Sequence, residues 1–120
     1  MSASVTIYHN PACGTSGRAL ALIRQAGVEP RVVEYLRTGW TRPQLQGLLS
    51  DMGLTARDVL RVSNSPAEEM GLTDPAVPDD ALIDAMVAHP ILVNRPIVVT
   101  PAGTILARPE DKVMPLLAGL

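Results

Sequence analysis

The chain holds one cysteine, Cys13, within the run Tyr8-His9-Asn10-Pro11-Ala12-Cys13-Gly14-Thr15-Ser16-Gly17-Arg18. A cysteine does chemistry as its thiolate, so the residues around it matter by what they offer an anion. His9 and Asn10 bring polar groups to one side. Thr15, Ser16 and Arg18 bring hydroxyls and a cation to the other. Cys13 to Ser16 spells Cys-x-x-Ser, the one-thiol variant of the Cys-x-x-Cys redox pattern. A lone cysteine is otherwise a small buried hydrophobe with no chemistry, but Gly14-Thr15-Ser16 supplies accessible N–H groups in place of packing bulk. A single thiol closes no internal disulfide, so a redox cycle built on it needs an outside thiol to resolve its intermediate.

The elements that must hold this cysteine are legible on both sides of it. Val5-Thr6-Ile7-Tyr8 is a β-branched and aromatic run of strand type. Ala19, Leu20, Leu22, Ile23 and Ala26 recur at the spacing of a helix with one apolar face, and Gly27 is its stop. Cys13 therefore sits where a loop enters a helix, among unpaired N–H groups and at the positive end of the helix dipole. A thiolate, a bound oxyanion, or each in turn suits that place.

Length and composition set the frame. At 120 residues the chain is read as one domain, 1–120, with a core that needs no disulfide or structural metal. A net charge of −2 gives no electrostatic argument for nucleic acid or for an anionic membrane surface, so any anion affinity must come from a local cluster. No apolar run is long enough to span a bilayer and no signal peptide is seen, which with the single cysteine points to the cytoplasm. Phe is absent and Trp40 is the only tryptophan, so the core is aliphatic. Histidines and cysteines are too few for a zinc site, and no glycine-rich nucleotide loop is present.

Taken in order, Arg31-Val32-Val33-Glu34-Tyr35-Leu36 reads as a second strand, which makes a right-handed β-α-β start with a parallel pair. Thr41-Arg42-Pro43-Gln44 reads as a capping box, opening a helix with Leu45, Leu48, Leu49 and Met52 inward, Arg42 on a solvent face and Gly53 as its end. Short helical pieces are expected from Thr55 to Leu60 and after Ser65-Pro66-Ala67-Glu68. Asp79-Asp80 begins a further helix, with Leu82, Ile83, Met86 and Val87 inward, that ends at His89-Pro90. Ile97 to Thr100 and Thr104 to Ala107 form a hairpin about Pro101-Ala102-Gly103, and Glu110 to Leu117 is a closing helix. The order β-α-β, helices, β-β-α is that of an α/β, thioredoxin-like fold carrying a helical insertion at about 41–89. In that fold the loop before the first helix holds the redox cysteine, and a cis proline, here the Arg95-Pro96 step, faces it.

His9 to Ser16, together with His89-Pro90-Ile91-Leu92-Val93-Asn94-Arg95-Pro96-Ile97-Val98-Val99-Thr100, closely resembles the glutaredoxin-coupled arsenate reductase family, and the likeness runs through nearly all of the chain. The resemblance implies a single catalytic cysteine, Cys13, that attacks arsenate. Glutathione is the implied co-substrate and glutaredoxin the partner that completes reduction to arsenite, with no tightly bound cofactor. It also matches Arg61, Arg95 and Arg108 to the family's oxyanion-binding arginines and His9 to a histidine near the cysteine. Guanidinium suits those roles because it is planar, forked and always charged. His9 acts through its cationic form, through a hydrogen bond, or merely ends the strand. Gly17 stands where the family commonly has arginine, with Arg18 one place on, turned by about 100° on a helix. The competing readings are a glutathione-dependent reductase of another substrate and a non-enzymatic adaptor of RNA polymerase.

Overall fold

A computed structural model describes residues 4–118. The chain divides into two compact units, one made of the segments up to Thr38 and from Arg95 onward, the other of Gly39–Asn94.

The first unit is built on a four-stranded mixed sheet. Its strands are β1 (Thr6–His9), β2 (Arg31–Glu34), β3 (Ile97–Thr100) and β4 (Gly103–Leu106), in the spatial order β2-β1-β3-β4. β1 pairs parallel with β2 and antiparallel with β3, and β3 pairs antiparallel with β4. Helix α1 (Gly14–Gln25) makes the crossover between β1 and β2. Its apolar stripe does what the sequence spacing predicts: Ala19 and Ile23 are buried with Val5, Ile7, Val98, Ala107, Val113 and Leu117 in one aliphatic core. The β-α-β, helices, β-β-α order is therefore that of the α/β, thioredoxin-like fold read from the sequence.

The second strand and the closing helix differ from expectation, each for a local reason. The second strand stops at Glu34, and Tyr35–Thr38 turns into a short helix, α2. His9 opposite Glu34 is the last pair of the ladder. Beyond it the partner chain runs into Pro11, which has no N–H to offer a strand. Tyr35 is fully buried. The closing helix begins as a 3-10 turn, Glu110–Val113, and becomes α-helical only over Met114–Leu117. Pro115 cannot donate to the carbonyl four residues back, which limits regular α-helix there. The hairpin closes with Thr100 opposite Gly103, and the Thr100 hydroxyl accepts from the N–H groups of Ala102 and Gly103 at 3.1 Å each.

The second unit spans the stretch expected as an insertion. It holds α3 (Arg42–Met52) and α4 (Asp79–Ala88), which touch each other. The capping box at α3 is present in both directions, Thr41 accepting from the Gln44 N–H and the Gln44 side chain accepting from the Thr41 N–H. Gly53 ends the helix in the left-handed region at φ 67°, where a side chain is strained. Thr55 to Leu60 contains only a 3-10 turn, Arg57–Val59. The piece after Ser65 is a series of turns rather than a helix. The Ser65 hydroxyl caps the Ala67 N–H, one Met70 N–H to Pro66 carbonyl bond follows at 3.0 Å, and Gly71 at φ 73° turns the chain away. Arg42 does not face solvent alone. It pairs with Asp80 at 2.5 Å and with Asp84, tying α3 to α4.

Candidate active site

Cys13 is the N-cap residue of α1, with φ −98° and ψ 121°. The turn before it is pinned by two bonds: the Cys13 N–H to the Asn10 carbonyl at 3.0 Å, and the Ala12 N–H to Asn10 Oδ1 at 2.9 Å. The Cys13 carbonyl accepts from the Gly17 N–H at 3.0 Å and so starts the helix. This leaves the side chain over the first turn of α1, where free backbone donors gather.

Three chain segments meet at the sulfur. Arg108 Nη1 lies 3.7 Å from Cys13 Sγ, and the same nitrogen donates to the Arg95 carbonyl at 2.8 Å. Arg95, only 6% exposed, directs its own side chain at the thiol. The Arg95-Pro96 peptide is cis, as the fold leads one to expect, and so is Arg108-Pro109. The thiol pKa reflects a contest. Burial pushes it up, while the Ser16 backbone N–H and the Arg95 and Arg108 guanidiniums pull it down more strongly, from an ordinary 9.0 to about 7. Cys13 is thus close to half thiolate at neutral pH, and it is a free thiol.

Behind the sulfur lies a buried polar network. Ser16 is fully buried, with Oγ 2.6 Å from His9 Nδ1 and 3.1 Å from the Asn10 N–H that donates to it. His9 therefore touches the site through Ser16. Its pKa is lowered, first by burial and further by Arg24, against the raising effect of Glu34 beside it in the sheet. The lowered pKa favours the neutral imidazole, the form whose Nδ1 hydrogen-bonds Ser16 Oγ. In the sequence Asn10 and Ser16 stand out only as polar neighbours of the thiol, without these partners. The signal available was spacing, since Ser16 stands three residues past the N-cap, where its N–H points back at the cap side chain.

Of the residues picked out in the sequence, Cys13, Arg95 and Arg108 converge directly, and His9 joins through Ser16. Arg61 lies in the second unit. There its backbone N–H donates to the Leu92 carbonyl at 2.7 Å, and its guanidinium bonds the Ser63 carbonyl at 2.8 Å and Asn94 Oδ1 at 3.3 Å. Arg18 has partners of its own away from the thiol. Its Nε donates to Glu110 at 2.6 Å and its Nη2 to the Thr15 hydroxyl at 3.3 Å. Among the described residues no group of three or more His, Cys, Asp or Glu is arranged to hold a metal ion. Nor is any helix among them long and apolar enough to cross a membrane.

A thioredoxin-like sheet, one thiol with a lowered pKa at the first helix and two arginines facing it are the parts of a thiol reductase of the single-cysteine kind. The comparisons with known proteins agree. The chain belongs to the ArsC family, whose family model matches residues 8–115. It is 53% identical over 114 residues to the arsenate reductases of Rhizobium meliloti and Escherichia coli K12, covering 95% of this chain and 81% of each relative. Among solved structures, an arsenate reductase from Vibrio cholerae superposes with a TM-score of 0.90 at 38% identity, over 97% of this chain and 99% of that one.

Proposed function

We propose that Cys13 is the nucleophile with which this arsenate reductase works, that Arg95 and Arg108, together with Arg61, hold the oxyanion, and that glutathione and glutaredoxin supply the electrons. The observation that carries the reading is the convergence of two guanidiniums on the only thiol of the chain, Arg108 at 3.7 Å from the sulfur and bonded to the Arg95 carbonyl. Arsenate is tetrahedral and anionic, and forked donors match its oxygens while cancelling the repulsion between a thiolate and an anionic substrate.

In the first step the Cys13 thiolate attacks arsenic, and one arsenate oxygen leaves as water after taking up two protons. The product is a sulfur-bound arsenic(V) adduct. A glutathione thiolate then attacks the Cys13 sulfur. The sulfur–arsenic bond breaks, its electron pair stays with arsenic, and arsenic(III) departs as arsenite once protonated. The Cys13–glutathione disulfide left behind is opened by glutaredoxin, which returns the thiolate. His9 and Ser16 hold the first turn of α1 so that the Ser16 N–H stays on the sulfur. A pool of reduced glutathione is needed at every turnover, which makes the cytoplasm the compartment for the reaction.

The test is arsenite formation by the purified chain with glutathione, with and without glutaredoxin. Arsenite is expected in both, faster with glutaredoxin, with glutathione attached to Cys13 in quenched samples by mass spectrometry. Cys13→Ser should retain less than about a hundredth of the rate. Multiple turnover with no added thiol, or a more active Cys13→Ser, refutes the scheme.

A further inference from the structure

One concave feature of the first unit takes no part in the chemistry above. It is a groove of about 420 Å³ between α1 and the 3-10 turn after Pro109, within the size range of small-molecule sites. Ala21, Leu22 and Pro109 give it apolar walls, and Arg18, Glu110 and Asp111 place one cation and two carboxylates at its edge. On α1, Arg18, Ala21 and Leu22 follow the spacing that puts residues on one helix face.

Two details connect the groove to the sulfur. The Arg18 guanidinium folds back over the start of α1: a Cβ on Gly14 would lie 3.0 Å from Arg18 Nη1, and Nη2 reaches the Thr15 hydroxyl. Gly14 follows Cys13 in the chain, so its lack of a side chain leaves the cation room one residue from the thiol. From the other side, Glu110 follows Arg108 by two residues, and Arg108 touches the sulfur. The Arg18–Glu110 pair thus stands at the edge of the groove, reached through Gly14 from Cys13 and two residues on from Arg108. It does not exhaust the charges there, because among the described residues Arg18 Nη1 and the Asp111 carboxylate have no hydrogen-bond partner.

We propose that this groove seats the γ-glutamyl end of glutathione while its sulfur meets Cys13. The inference rests on the glutathione-dependent reading above and names where that thiol binds. The γ-glutamyl group ends in an α-carboxylate and an α-ammonium side by side. A guanidinium next to two carboxylates is the complement of that zwitterion, the carboxylate facing Arg18 and the ammonium facing Asp111 and Glu110. The methylenes between lie on Leu22 and Pro109. The arm from the glutathione sulfur to its α-carbon spans about 8 Å when extended, and the Arg18 guanidinium that would meet its carboxylate reaches back to Gly14, the residue after Cys13. A neutral thiol with no such arm gains nothing from the groove.

The seat is tested without arsenate. The Cys13 thiolate attacks oxidised glutathione, forming a Cys13–glutathione disulfide and releasing one glutathione thiolate. It attacks 2-hydroxyethyl disulfide by the same exchange. Each second-order rate is divided by the variant's rate with iodoacetamide, which cancels changes in thiolate content. In Arg18→Gln the ratio of the glutathione rate to the hydroxyethyl rate is expected to fall about tenfold, and in Asp111→Asn about threefold. Arg18→Lys should fall between Arg18→Gln and the parent, because it keeps the charge and loses the fork. A ratio within twofold of the parent in both Arg18→Gln and Asp111→Asn overturns the proposal, whether the two rates hold steady or drop together. Arsenate reduction by the parent is run alongside, so a chain that shows the expected ratios but makes no arsenite refutes the reductase reading and leaves the seat standing.

Discussion

Replacing Arg108 by glutamine should change how the Cys13 thiol titrates more than it changes anything else. The parent thiol has a pKa of about 7, with burial opposing ionisation and the Ser16 N–H, Arg95 and Arg108 favouring it. Because the thiolate is the reactive form, alkylation by iodoacetamide rises with pH through about 7 and levels off above it. Arg108 contributes one charge-assisted bond to a sulfur 3.7 Å away, long for such a bond. Its loss is worth about 1.4 kcal/mol, the low end for a bond to a charged group, or about one pKa unit. The midpoint should move from about 7 to about 8, which cuts the thiolate at pH 7 from about a half to about a tenth and the alkylation rate there about fivefold. At pH 10 the two proteins should react alike, since both are then ionised. Arg108→Lys keeps a cation near the sulfur and should shift the midpoint by less. Arg37→Gln removes the same charge from an exposed position that does not act on the thiol, and should titrate like the parent. An unmoved midpoint in Arg108→Gln refutes the reasoning. So does a midpoint shift of equal size in Arg37→Gln, which would make net charge the cause.

Arg95→Lys should slow arsenate reduction roughly thirtyfold to a thousandfold, since about 2 to 4 kcal/mol rides on a forked contact that an ammonium does not reproduce; Arg37→Lys, with activity like the parent's, is the comparison. Ser16→Ala deletes the hydroxyl that meets His9 and the Asn10 N–H but keeps the backbone donor to the sulfur. It should lower stability by about 1 to 3 kcal/mol in urea titration while the alkylation midpoint stays near 7; a midpoint moved by a full unit would assign the effect to the hydroxyl instead. Gly47 is exposed inside α3 and a Cβ there meets nothing within 4 Å. Gly47→Ala should therefore stabilise the chain by about 0.8 kcal/mol, a rise of a few degrees in Tm, and no gain would mean that the helix is not limited by its glycine.

The sequence carried those features whose causes lie within a few residues. Ile7 and Ile23 announce a strand and a helix by pattern alone, and the reciprocal bonds of Thr41 and Gln44 are written in a four-residue motif. Cys13 could be put at a helix entry because Pro11 and Gly14 punctuate the chain around it. What stayed hidden depends on distant partners. Arg42 looks like a solvated residue until Asp80 and Asp84, 38 and 42 places away, are brought to it. Arg18 looks like a second-best oxyanion ligand until Glu110, 92 places away, takes its Nε. Tyr35 and Leu36 have strand character, yet a strand needs a neighbour, and β1 has already left the sheet. The long motif around Arg95 was legible by resemblance, while the bond from Arg108 to the Arg95 carbonyl, which gives the pair its geometry, was not.

The 95-residue separation between Cys13 and Arg108 also sets an order of events during synthesis. At roughly 5 to 20 residues per second, the thiol is made about 5 to 20 s before the last arginine that ionises it. In that interval the strand and helix flanking Cys13 can form from local sequence, but β3 and the residues that follow do not yet exist. The nascent thiol has the Ser16 N–H once α1 forms but neither guanidinium, so its pKa lies above that of the finished chain and less of it is thiolate at neutral pH. Reactivity thus rises when Arg95 and Arg108 join the site, and a growing or truncated polypeptide carries a quieter thiol past oxidants and electrophiles than the finished enzyme does.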